Sequence, residues 1–119
     1  MAMGRKQITK LEQAVILCGG LGTRMMPHTK ITPKPMINCN GKPFLWHLLK
    51  QLHAQGISRF VLLTGYLSEK IINYFGDGSK WEWDIHYSNG PVDWDTGKRI
   101  WEAKSKLDER FLLLYSDNF

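Results

Sequence analysis

A chain of 119 residues with 43% hydrophobic content is long enough for one small globular domain with a real core, which excludes disorder. Its formal charge of +5 is uneven: residues 13–68 hold Arg24, Lys30, Lys34, Lys42, Lys50 and Arg59 and no acid, whereas residues 69–119 hold ten acids against seven cations. That asymmetry argues against a uniformly basic, nucleic-acid-coating surface and points to a small anion such as a nucleotide.

The N-terminal MAMGRKQITKLEQ is polar and basic, and the apolar stretch after it, Ala14 to Cys18, is too short for a signal-peptide core or a membrane span. A cytoplasmic protein without membrane contact is expected. Cys18 and Cys39 show no CxxC or Cys/His spacing for zinc and read as reduced thiols.

Ala14–Cys18 is a continuous apolar run ending in Gly19-Gly20, the pattern of a strand buried on both faces of a parallel sheet. Residues 19–42 carry three prolines, four glycines and little periodicity, so a long functional loop is predicted. Pro43 then starts a helix with Phe44, Leu45, Leu48, Leu49 and Leu52 on one face and Gly56 at its end. Arg59–Thr64 (RFVLLT) reads as a second buried strand, and Ser68 caps a short helix that Gly76 ends. A looser alternation over Trp83–Ser88 gives a third strand, helical spacing covers Thr96–Leu107, and Phe111–Tyr115 (FLLLY) gives a fourth strand. Strands alternating with helices predict an α/β fold with a parallel sheet.

The stretch AVILCGGLGTRMMPHTKITPKP, residues 14–35, carries the chemistry. A strand enters a glycine-rich turn bearing Arg24, and Lys34 follows ten residues later between two prolines. Glycines let a backbone approach phosphates closely, and the two cations complete an anion site. The dinucleotide fingerprint GxGxxG fits Gly20 and Gly22 but meets Met25 at its third glycine, and the ribose-binding acid expected about 20 residues further on is missing. The P-loop pattern fails as well, because Gly41-Lys42 is followed by Pro43 and has Met36 where the first glycine belongs.

Gly19-Gly20-Leu21-Gly22-Thr23-Arg24 followed by Pro33-Lys34-Pro35 resembles the sugar-1-phosphate nucleotidyltransferases, also called sugar-nucleotide pyrophosphorylases. The likeness continues through Gly41-Lys42-Pro43-Phe44-Leu45, Gly65-Tyr66 and Tyr74-Phe75-Gly76-Asp77-Gly78. Leu45-Trp46-His47 and Asp95-Thr96-Gly97 with Arg99 are most similar to the glucose-1-phosphate cytidylyltransferase branch, although Lys98 stands where a glycine is usual. Guanylyl- and thymidylyltransferases match the glycine loop equally well, so nucleobase and sugar stay open.

The resemblance implies a Rossmann-like three-layer sandwich with a mostly parallel sheet, here incomplete: residues 1–12 as a polar extension and 13–119 as the nucleotide-binding part, without the sugar-binding part. It implies an NDP-sugar made from an NTP and a sugar 1-phosphate, for cell-surface polysaccharide or related sugar biosynthesis, with complete enzymes forming homo-oligomers. By the same resemblance Arg24, Lys34 and Asp117 are the catalytic candidates, Asp117 is the ligand of Mg2+, and Leu17, Gly19, Gly20, Gly22, Thr23, Thr96, Gly97 and Arg99 bind nucleotide. Ser116 precedes Asp117 where a glycine is usual, and the second metal-binding aspartate of the resembling enzymes lies beyond residue 119.

Plainer readings compete. Four of five tryptophans fall between Trp81 and Trp101, in an acidic region, and suit a core or subunit contact better than stacking on bases. No histidine has metal-ligand spacing, and Met25, Met26 and Met36 read as gap-filling core residues. Asp117 at a strand end is also an ordinary turn residue, and a nucleotide-binding module without catalysis is the alternative function.

Overall fold

The computed structural model describes residues 11–18, 34–65, 68–91 and 93–115. In chain order it contains β1 (Gln13–Leu17), a 3-10 turn (Lys34–Met36), β2 (Asn38–Cys39), β3 (Lys42–Pro43), α1 (Phe44–Ala54) and β4 (Arg59–Thr64). Then follow α2 (Ser68–Phe75), β5 (Asp84–Asn89), α3 (Thr96–Glu102) and β6 (Leu112–Tyr115), with 3-10 turns at Ser79–Trp81 and Lys104–Lys106.

Among the described residues, four strands form a parallel sheet in the order β5-β4-β1-β6. Alternate residues of β1 and β4 feed two cores. Ala14, Ile16, Phe60 and Leu62 face α1 and α2, joining Leu45, Leu49, Leu52, Ile71 and Phe75. Val15, Leu17, Val61 and Leu63 face the α3 side, with Ala103, Ile100, Leu107 and Phe111. These layers explain why β1 and β4 read as unbroken apolar runs: neither has a solvent face.

The predicted strands hold to within a residue or two. The helix predicted from Pro43 begins at Phe44, with Pro43 extended at its N-cap, and Ser68 is the first buried residue of α2. The helix predicted over Thr96–Leu107 ends at Glu102, and a 3-10 turn carries the chain onward to Leu107. Ile100, Ala103 and Leu107 still reach one core, which is why the helical spacing outlasts the helix.

One element departs from the predicted loop: β2 and β3 pair as an antiparallel hairpin around Asn40-Gly41. Both turn residues have positive φ, 53° and 86°, the geometry that favours Asn-Gly in a two-residue hairpin loop. Asn38 Oδ1 accepts from the Gly41 N–H at 3.0 Å and tightens the turn.

Candidate functional site

In a sheet ordered β5-β4-β1-β6, successive parallel strands step outward from β1 to β4 to β5, and the chain then returns to the other side of β1 for β6. The gap between β1 and β6 is the switch point where open α/β sheets bind ligands at the carboxyl ends of their strands. Leu17 and Tyr115 are paired residues at those ends. In the sequence, the Gly19–Arg24 segment follows Leu17 by two residues and Asp117 follows Tyr115 by two.

Gly19, Gly20, Gly22, Thr23, Arg24 and Asp117 themselves lie outside the described residues. Lys34 opens the 3-10 turn, which rests against α1 and α2 with Pro35 buried and Met36 packed on the core. Leu17 buries its side chain in the core on the α3 side. The Cys18 N–H donates to the Leu63 carbonyl at 2.8 Å, extending the ladder by one residue beyond β1.

Thr96, Gly97 and Arg99 come together on α3 beside the carboxyl ends of β4 and β5. Asp95 caps this helix, its Oδ1 accepting from the Lys98 N–H at 2.8 Å. Arg99 is 6% exposed and donates from Nη1 to the Thr64 carbonyl at 3.0 Å and from Nη2 to the Pro91 carbonyl at 2.6 Å. No carboxylate of the described residues pairs with it, and burial lowers its pKa, with Asp93 and Cys18 opposing the shift. Thr64 is fully buried, and its carbonyl also accepts from the Gly90 N–H at 2.9 Å.

The anchoring of this loop was not legible from motifs. A Cβ on Gly90 would sit 2.4 Å from the Trp94 ring, so only glycine lets that indole lie on the backbone. Lys98 Nζ covers the same ring at 5.0 Å from its centroid. Gly90 and Trp94 were the available signals, a glycine after a strand and a tryptophan four residues on.

A separate cavity of about 310 Å³ opens at the opposite, amino-terminal edge of the sheet, lined by Gln13, Arg59, Asp84, His86, Ser105 and Lys106. Among the described residues no group of three or more His, Cys, Asp or Glu is placed to hold a metal ion. Nor, among them, is any helix long and apolar enough to cross a membrane.

The sequence profile of the nucleotidyl transferase family matches residues 13–119, nearly the whole chain. The chain belongs to that family. It is 40% identical to a "Probable glucose-1-phosphate cytidylyltransferase" of Bacillus subtilis, over 88% of this chain and 50% of that protein. It is 38% identical to the "Bifunctional protein GlmU" of Methanococcus maripaludis, over 87% of this chain and 24% of that one. The Bacillus alignment runs over 126 positions, more than the 119 residues of this chain, so that relative carries residues with no counterpart here.

Solved structures agree on the fold. A putative glucose-1-phosphate thymidylyltransferase of Bacillus anthracis superposes with a TM-score of 0.81 at 20% identity, covering 91% of this chain and 44% of that one. HddC from Yersinia pseudotuberculosis, complexed with GMP-PN, gives 0.78 at 30% identity, covering 90% and 48%. The chain thus shares the Rossmann-like fold of these nucleotidyltransferases and spans half the length, or less, of the relatives it matches.

Proposed function

We propose that this chain provides the nucleotide-binding part of a sugar-1-phosphate nucleotidyltransferase. The observation that supports the reading is the pairing of Leu17 with Tyr115 at the switch point, since in the sequence Gly19 comes two residues after the first and Asp117 two after the second. In the reaction, an oxygen of the sugar 1-phosphate attacks the α-phosphorus of a nucleoside triphosphate, the bond to the β-phosphate oxygen breaks, and pyrophosphate leaves. Negative charge crowds onto the phosphoryl oxygens, so the protein's task is to supply donors and cations aimed at them.

Main-chain N–H groups of Gly19, Gly20 and Gly22 and the Thr23 hydroxyl would cradle the phosphates. Arg24, with its planar fork, braces the triphosphate and the departing pyrophosphate. Lys34, on a turn backed by α1 and α2, acts as a point charge between the two substrates' phosphates. Leu17, Thr96, Gly97 and Arg99 border the nucleoside end.

Asp117 is the residue that would hold Mg2+, a hard cation that suits one carboxylate plus substrate phosphate oxygens. When bound, the metal supplies further charge neutralisation at those oxygens. We place the work in the cytoplasm, with an NTP and a sugar 1-phosphate as partners, neither nucleic acid nor membrane, and a homo-oligomer as the working state.

The names of the Bacillus relative and of a Salmonella typhimurium relative, 46% identical over 55% of this chain, make CTP and glucose 1-phosphate the first pair to try. Pyrophosphate release is measured from each NTP with a panel of sugar 1-phosphates, and turnover of at least one pair is expected. A non-catalytic module that binds nucleotide or NDP-sugar is the second reading. Saturable nucleotide binding without turnover of any pair would select it.

A further inference from the structure

Arg99 is the one buried arginine among the described residues, and its surroundings are unusual for a cation. A buried guanidinium is costly unless its charge or its donors are matched. Here the match is with two main-chain carbonyls from different segments, Thr64 at the end of β4 and Pro91 after β5. A methionine would fill similar space without burying a charge, so the position uses the donors. A rigid fork can bridge two carbonyls at fixed separation, which a lysine ammonium on a flexible stem cannot do.

The described residues so held are 90–91 and 93–97. Their other fastenings are the Gly90 N–H on the same Thr64 carbonyl, the Trp94 ring seated on Gly90, and the Asp95 cap of α3. Thr64 follows Leu63, which pairs with Leu17 and accepts from Cys18. The clamp therefore sits one strand, about 5 Å, from the carboxyl end of β1. The β4 and β5 side lies across β1 from β6. In the site proposed above, with the phosphates at β1 and β6, the nucleoside falls over β4 and β5.

We infer that Arg99 is a positioning residue: its fork between the Thr64 and Pro91 carbonyls fixes residues 90–91 and 93–97 as the wall of the nucleoside end, without touching the phosphates. The functional half of this inference rests on the nucleotide site proposed above; the mechanical half does not.

Two readouts test it on the full chain with Arg99→Lys, Arg99→Met and Trp94→Ala. Amide hydrogen exchange in residues 90–97 should quicken at least about tenfold in each variant, with β1 and β4 unchanged, since a charge-assisted hydrogen bond or a ring contact is lost there. Unchanged protection of that segment in Arg99→Lys would overturn the clamp. Affinities for a nucleoside monophosphate and its triphosphate should both fall by one common factor, about tenfold, leaving their ratio at the wild-type value. A loss confined to the triphosphate would make Arg99 a phosphate ligand and overturn the inference. Should Arg99→Met fail to fold, Arg99→Lys and Trp94→Ala carry both readouts. Wild-type protein that binds no nucleotide would sink the site reading and the functional half with it, while exchange still decides the clamp.

Discussion

Each edge of the parallel sheet has an arginine that ties distant segments together, and the two are built differently. At the amino-terminal edge, Arg59 donates to both carboxylate oxygens of Asp108, with Glu12 at 3.9 Å, and its side chain keeps 36% exposure. At the carboxyl edge, Arg99 is 6% exposed and, among the described residues, hydrogen-bonds only to carbonyls. The first is an ion pair that water and salt can loosen with little consequence. The second fixes a loop by buried, directional bonds. Tight positioning by arginine is thus concentrated at the carboxyl edge, and the amino-terminal edge draws its stability from the buried Gln13 rather than from its ion pair.

That contrast orders the expected effects of substitution. The largest is for Arg24→Ala, which should weaken nucleotide binding about ten- to hundredfold while leaving the unfolding midpoint in place. Titration calorimetry beside a urea melt checks both, and lost stability with intact affinity would reverse the roles of the two edges. Next comes Gln13→Leu at the amino-terminal edge. Gln13 is buried, donates from Nε2 to the Lys106 carbonyl at 2.9 Å and accepts the Asp108 N–H at 2.8 Å. Stranding those two main-chain groups should cost about 2 kcal/mol in urea unfolding with nucleotide affinity unaltered.

A smaller effect concerns Tyr87, whose hydroxyl donates to the Gly76 carbonyl. Burial, helped by Cys18 and Asp77, raises its pKa from 10.0 to about 12. The unfolded chain therefore deprotonates first, so the stability that the neutral phenol contributes is present below pH 10 and is lost as pH rises toward 12. Melting temperature followed over that window should fall in the wild type and fall less in Tyr87→Phe. Smallest is Asp108→Asn, worth under about 1 kcal/mol because its pair is a third exposed, and high salt should erase the difference.

Much of the scaffold was legible because β1 and β4 lie between two helical layers and so carry no polar face: AVIL and RFVLLT can be little else. The hairpin was not foreseen, since strands of two residues have no alternation to detect and Asn40-Gly41 fell within the predicted loop. α3 is shorter than its periodicity because the following 3-10 turn keeps Leu107 on the same core. In the candidate site, the glycine turn, Arg24 and Lys34 stood out as local strings with a chemical rationale. The Arg99 clamp did not, because its partners Thr64 and Pro91 are main-chain atoms whose position comes from sheet order and register, not from residue type.

The most direct test maps which edge of the sheet meets nucleotide, by following amide chemical shifts of the wild-type chain as CTP and the other triphosphates are added with Mg2+. Shifts at Cys18, Gly65, Gly90 and Thr96, with Gln13, Arg59, Asp84 and Asp108 unmoved, are the predicted result. Shifts confined to the amino-terminal edge, or none with any triphosphate, would contradict a nucleotide site at the carboxyl ends of β1 and β6.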